Sequence, residues 1–157
     1  MGSQSKIHLA YIAGFLDGDG SLMLQIKKRK DGFKSNYRFM ATICFYQDSR
    51  HEKPLFWIRK ILGIGYLSKR NDGMSELRIN GFKQTEKILK NLLPFIKFKK
   101  KQAEILLKSV ILLQKDNLKE KNLKILVANI VQIQSDNYVS KKKRTKKELL
   151  KVLGLTP

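Results

Sequence analysis

Two carboxylates, Asp17 and Asp19, stand among Gly14, Gly18 and Gly20 at the end of the apolar run Ile12-Ala-Gly-Phe-Leu-Asp-Gly-Asp-Gly20. Carboxylate oxygens are the ligands that hard divalent cations such as Mg²⁺ prefer. If the run is helical, both acids lie at a helix C-terminus, where the negative end of the dipole makes a carboxylate unfavourable and a bound cation welcome. In isolation Asp-Gly-Asp-Gly reads as a turn or cap. The preceding helical run and the basic surroundings favour the metal reading instead. Residues two apart do not share a helical face, so one acid per chain is enough for a ligand set.

The rest of the composition points to a polyanionic partner. The 157 residues carry 33 Lys plus Arg against 13 Asp plus Glu, a net charge of +20, and such self-repulsion calls for compensation by nucleic acid. Residues 1–82 hold 14 basic and 7 acidic residues and residues 83–157 hold 19 and 6, so the folded body is basic and not only a tail. No run of about 18 apolar residues and no signal-peptide pattern occurs, which predicts a soluble protein with no membrane partner. Cys44 is the single cysteine, which excludes an intrachain disulfide and a cysteine zinc cluster and favours an intracellular site. Lys outnumbers Arg by 26 to 7, a bias expected of an A·T-rich genome such as that of a chloroplast or mitochondrion. The length suits one domain, 1–157, with a core at about 7–115 and a helical extension at about 116–157.

The elements that must position the acids follow from periodicity. His8 to Leu16 predicts a short helix stopping at Gly18 and Gly20. Ser21 to Arg29 alternates, with Leu22, Leu24 and Ile26 on one face and Met23, Gln25, Lys27 and Arg29 on the other. Asp31-Gly32 is a hairpin signal, and Phe39, Ala41, Ile43 and Phe45 then alternate with Arg38, Met40, Thr42, Cys44 and Tyr46. Pro54 to Leu62 is helical, with Asp48 or Ser49 as cap. Tyr66 to Arg70 and Met74 to Asn80 flank the turn Asn71-Asp72-Gly73, and Lys83 to Leu92 is helical. The order α-β-β-α-β-β-α is a pseudo-repeat. Helices at Gln102–Gln114, Leu123–Ile133 and Leu149–Leu153 follow, the last preceded by the basic run Lys141–Lys147, read as a solvated tail or a phosphate contact.

With Gly14, Asp17, Asp19 and Gly20 in register, residues 12–20 resemble the LAGLIDADG signature of homing endonucleases. The similarity covers most of residues 8–115, including Pro94-Phe-Ile-Lys-Phe-Lys99, and the single copy of the signature is that of homodimeric members. The resemblance implies a mixed α/β protomer whose antiparallel sheet forms a DNA-facing saddle. It assigns the metal to Asp19 with the Gly18 carbonyl nearby, and a structural role to Asp17. Gln47 would position the nucleophilic water and Lys99 would offset charge on the phosphate. A gapless reading from Gln47 puts His51 where compared members carry an active-site arginine, while a one-residue shift presents Arg50. The implied cofactor is Mg²⁺, with Mn²⁺ or Ca²⁺ able to occupy the same site and Ca²⁺ non-productive. The implied reaction cuts both strands across the minor groove and leaves 3′ overhangs.

Two features make physical sense beside the resemblance. Gly14-x-x-x-Gly18 puts two bare positions on one helical face, where a second helix can approach closely. A homodimer through residues 8–18 is therefore expected, with Ala10, Ala13, Gly14, Asp17 and Gly18 at the contact. The polar strand faces bring Gln25, Lys27, Arg29, Arg38, Thr42, Ser68, Arg70, Glu76 and Arg78 to one side of the sheet. Arg suits guanine, Gln adenine and Glu cytosine, whereas Met40, Cys44 and Tyr46 suit thymine methyls or water. Lys97, Lys99, Lys100 and Lys101 form a phosphate-binding cluster. The expected partner is duplex DNA with a long pseudopalindromic site. The alternatives are a non-cleaving relative, such as an intron-splicing maturase or DNA-binding regulator, and a structural or ribosome-associated RNA-binding protein.

Overall fold

The computed structural model describes residues 5–29, 36–137 and 143–157. The expected Asp31-Gly32 turn and residues 141–142 of the basic run lie outside them.

The first helix, α1 (Lys6–Asp19), starts where the Ser5 hydroxyl accepts the Ile7 N–H at 3.3 Å. Of the two expected stops it passes Gly18 and ends at Gly20, so both acids belong to its last turn and not to a loop. The strand β1 (Gly20–Lys28) begins on the next residue. That abrupt change explains Gly20: a Cβ there would sit 2.8 Å from the Leu16 carbonyl oxygen and 2.9 Å from its Cα. Glycine is needed here for close approach, since its backbone is extended at φ −116°.

From there β1 pairs antiparallel with β2 (Tyr37–Asp48), in register from Gly20 opposite Phe45 to Lys28 opposite Tyr37. A single 3-10 turn, Ser49–His51, leads to α2 (Lys53–Leu62), which ends at the left-handed Gly63, φ 70°. Asp48 caps that turn by accepting the Arg50 N–H, while α2 itself has Glu52 at its N-cap and no side-chain cap bond. The expected Asp48 or Ser49 cap is therefore displaced, because the turn intervenes. β3 (Tyr66–Lys69) and β4 (Met74–Asn80) form the second hairpin, and α3 (Phe82–Leu92) completes the expected α-β-β-α-β-β-α order. The sheet order is β1-β2-β4-β3, every neighbour antiparallel.

One face of this sheet is buried. Leu22, Leu24 and Ile26, Ala41, Ile43 and Phe45, and Leu77 and Ile79 meet Ile12 and Leu16 of α1, Leu55 and Ile58 of α2, and Leu89 and Leu92 of α3 in one core. α4 (Lys100–Leu113), α5 (Glu120–Asp136) and α6 (Lys146–Val152) extend that core with Leu106, Val127, Ile130, Ile133 and Leu150. The last helix starts earlier than its apolar residues suggest, because Thr145 and Glu148 form a capping box that draws Lys146 and Lys147 into it.

β1 is an edge strand, and two of its carbonyls are covered. Asn137 donates to the Leu22 oxygen at 3.3 Å and Arg144 to the Ile26 oxygen at 3.2 Å. An uncovered edge is a template for unwanted pairing, so the C-terminal segment protects the strand that begins at the acidic helix end.

Replacing Gly20 by Ala should cost about 1–3 kcal/mol, because the new methyl meets helix backbone that cannot move aside. An unchanged guanidinium unfolding midpoint in Gly20→Ala would contradict the packing at this junction.

Candidate functional site

The C-terminus of α1 is met by the segment before α4. The Asp17 carboxylate accepts the backbone N–H groups of Lys97 at 2.7 Å, Phe98 at 3.1 Å and Lys99 at 2.9 Å. In return the Lys99 ammonium donates to the main-chain oxygens of Leu16 at 3.0 Å and Asp17 at 2.5 Å, and lies 5.6 Å from the Phe98 ring. Burial pushes the Asp17 carboxyl up, but three N–H donors outweigh it and hold the group below the usual carboxylate range. Burial also lowers Lys99, opposed by the charges of Asp17 and Asp19. Asp19 itself is exposed. The structure thus brings Asp19 and Lys99 to one place across some 80 residues of chain and keeps them distinct from Asp17, whose oxygens are occupied.

Gln47 lies near the end of β2, and Arg50 and His51 lie on the 3-10 turn that follows it. Gly20 pairs with Phe45, so Gln47 lies two residues past the last β1 partner. Its Oε1 accepts the Asp48 N–H at 2.9 Å. Arg50 is engaged by Asp48, with Nε to Oδ1 at 3.0 Å and Nη2 to Oδ2 at 2.7 Å. This fork holds the Asp48 carboxyl far below its usual range. His51 is exposed on the same turn. Behind the turn, Ser49 and Ser75 share a hydrogen bond at 2.8 Å, Ser75 donates to Glu52 at 2.5 Å, and Lys69 pairs with Glu52 at 3.4 Å. Sequence reading offered Asp48 and Ser49 only as helix caps and missed this network, because its members come from separate elements and have no common spacing.

The bare side of α1 is also defined. Gly14 and Gly18 are exposed and a Cβ on either would meet nothing within 4 Å. Ala10 is exposed beside them, and Ile7 and Tyr11 are 78% and 57% exposed on the same stripe. Two expected contact residues need correction. Ala13 is fully buried, since its helical position faces the sheet, and the Asp17 side chain is committed to residues 97–99. Ile7 and Tyr11 are the exposed residues on that stripe instead, marked in the sequence by their three- and four-residue spacing from Ala10 and Gly14.

On the polar face of the sheet, register sets rows: Lys27 opposite Arg38, Gln25 opposite Met40, and Ser21, Cys44, Arg78 and Tyr66 in line across all four strands. Lys27, Arg29, Arg38 and Arg70 are exposed. Like charges directly opposite destabilise a sheet unless an anion lies over them, and Lys27 opposite Arg38 is such a pair. Thr42 and Cys44 are on this face but are fully buried, so the expectation that they touch bases is corrected. The central strands sit beneath longer side chains, Thr42 bonds Asn80 at 2.7 Å, and burial pushes the Cys44 thiol up to about 11. Glu76 is also largely buried: Arg78 pairs with it at 3.1 Å and Ser68 donates to it at 3.3 Å. Its oxygens hold neighbours and are not offered to cytosine. Met40 and Tyr46 are half-buried, and the Ser21 hydroxyl lies 3.1 Å from that of Tyr46.

Among the described residues no group of three or more His, Cys, Asp or Glu stands ready for a metal, and the end of α1 presents a single exposed carboxylate, Asp19, with the carbonyls beside it. An exposed carboxylate at a helix end thus stands with a basic, register-ordered antiparallel sheet, a combination suited to a polyanion. The family model described as LAGLIDADG endonuclease matches residues 12–107, and the chain belongs to that family.

The DNA endonuclease I-CvuI of Chlorella vulgaris is 35% identical over 105 residues, 67% of this chain and 65% of that protein. The DNA endonuclease I-CreI of Chlamydomonas reinhardtii is 33% identical over 106 residues, 68% of this chain and 64% of that protein. The matched region thus spans just under two thirds of both relatives. A crystal structure of I-CvuI in complex with its target, in the presence of 2 mM Ca, superposes with a TM-score of 0.80 at 28% identity, covering 97% of this chain and 98% of that one.

Because the folded-state Asp17 carboxyl is depressed, its contribution to stability is present above the unfolded carboxylate range, near about pH 4, and is lost as pH falls through the lower folded value. In urea titrations of the metal-free protein, the stability gap between wild type and Asp17→Asn should narrow steadily below that pH. A gap that stays constant down to pH 2 would rule out the three-donor arrangement.

Proposed function

We propose that this protein is a site-specific, divalent-metal-dependent DNA endonuclease that works as a homodimer. The observation that carries it is the end of α1: an exposed Asp19 beside Lys99, on a helix whose adjacent face is bare and open. Two copies packed along Ala10, Gly14 and Gly18 would bring both Asp19 side chains together, because a twofold contact juxtaposes identical surfaces. The relatives named above are DNA endonucleases, and one is seen bound to its target.

The donor set fits a hard cation. Asp19 and the Gly18 carbonyl would hold a divalent ion, Mg²⁺ by its oxygen preference, with scissile phosphate oxygens and the second copy's Asp19 completing the shell. When bound, the ion supplies Lewis-acid charge and a water of lowered pKa. Gln47 orients the attacking water. That water adds to phosphorus, the P–O3′ bond breaks, and the departing O3′ takes up a proton. Lys99 offsets the charge that builds on the phosphate. The committed Arg50 leaves His51 as the basic group freer to approach the phosphate. Lys27, Arg29, Arg38 and Arg70 place the backbone, and Gln25, Met40, Tyr46 and Arg78 face the bases of a pseudopalindromic site.

Incubation with randomised duplex DNA and Mg²⁺, followed by sequencing of the cut ends, should return one long site with 3′ overhangs. Asp19→Asn and chelation of the metal should each lower cleavage at least about 100-fold while DNA binding persists. Binding without any Mg²⁺-dependent cut, or full activity in Asp19→Asn, would sink the proposal.

Dimerisation has its own test. Leucine at Gly14 meets open space within the protomer, so Gly14→Leu should fold at least as stably as wild type yet sediment as a monomer and lose cleavage. A Gly14→Leu protein that remains dimeric would remove the α1 face from the interface.

A further inference from the structure

Two helix ends lack a side-chain or charged cap of their own, α1 keeping only the Gly20 N–H on its Leu16 carbonyl. α1 has no basic residue in its last turn, and α4 has no acidic residue in its first turn and no side-chain cap bond at Lys99. Free carbonyls and N–H groups of this kind carry opposite partial charges and need partners. The two ends supply each other: the Asp17 carboxylate takes the N–H groups of Lys97, Phe98 and Lys99, and the Lys99 ammonium takes the carbonyls of Leu16 and Asp17.

We propose that Asp17 is the positioning residue for Lys99, a role that rests on the reading of Lys99 as the group facing the scissile phosphate. An ammonium has three N–H donors. Two are committed to the end of α1, at 3.0 and 2.5 Å, which leaves one for a phosphate oxygen beside Asp19. Of the four lysines at 97, 99, 100 and 101, Lys99 is the one that is not fully exposed. The other three are long, mobile point charges of the kind that bind phosphates anywhere along a backbone. Lys99 differs because Asp17 gathers three consecutive N–H groups and so fixes the backbone from which its side chain starts. Asp17 therefore acts on the reaction through Lys99 without touching DNA or metal.

The test is a double-mutant cycle read by single-turnover cleavage of the duplex recovered from the selection described above, using Asp17→Asn, Lys99→Met and the double variant. Lys99→Met should slow cleavage about 100-fold. Asp17→Asn should slow it about 10-fold or more, with DNA affinity changed less than about threefold, and the double variant should be no slower than Lys99→Met alone. Losses that multiply in the double variant would overturn the positioning role while leaving Lys99 in the site. Wild-type cleavage by Lys99→Met would instead overturn the reading of Lys99, and the proposal with it. A second measurement stands even if Asp17→Asn fails to fold. In metal-free Lys99→Met the amides of residues 97–99 should keep their slow hydrogen exchange, because Asp17 holds them independently of the ammonium. Exchange as fast as in exposed loops would show that Lys99 positions Asp17, the reverse of the proposal.

Discussion

A helix terminus concentrates negative partial charge, and α1 adds two carboxylates to it within its last turn. That accumulation is the constraint to which the surroundings of the site respond. Three backbone N–H groups and an ammonium answer Asp17 and the last carbonyls, and they arrive from a segment some 80 residues away. Asp19 is left exposed by the same arrangement. The division of labour between two acids only two residues apart is thus electrostatic in origin: one closes the fold, and the other stays available for a cation.

The sheet poses a related problem at larger scale. Cationic side chains stand opposite or beside one another on a face that the helices leave open, as with Lys27 and Arg38. Internal carboxylates answer only part of this charge, through Glu76 with Arg78 and Asp72 with Arg70. The fold consequently carries a like-charged surface and an acidic helix end, and under the proposed function a nucleic-acid backbone would relieve the first as a divalent cation would relieve the second. Both expectations belong to one proposed function, because a duplex lying on the sheet would bring its phosphates to Asp19.

Much of this was legible in the residue pattern. Period-two runs placed β1, β2 and β4 to within a few residues, and the glycine-flanked acids singled out the helix end. The errors share a cause. The stop of α1 was expected at Gly18 and Gly20, and the helix passes the first and is capped at the second. Ala13 was grouped with the small residues of a contact stripe, although its angular position buries it. Thr42, Cys44 and Glu76 were assigned to the groove by alternation, which gives the face of a strand and not the depth of a side chain below its neighbours.

By itself the sequence determined the order of elements, the polar face of the sheet, the basic character of the body and the candidacy of Asp19, because each depends on local spacing or on summed charge. Only the tertiary structure decided that Asp17 and Lys99 cap each other's helices, that Arg50 is held by Asp48, and which face residues reach solvent. Those outcomes depend on contacts between segments far apart in the chain, where no periodicity links the partners and only three-dimensional packing determines which donor meets which acceptor.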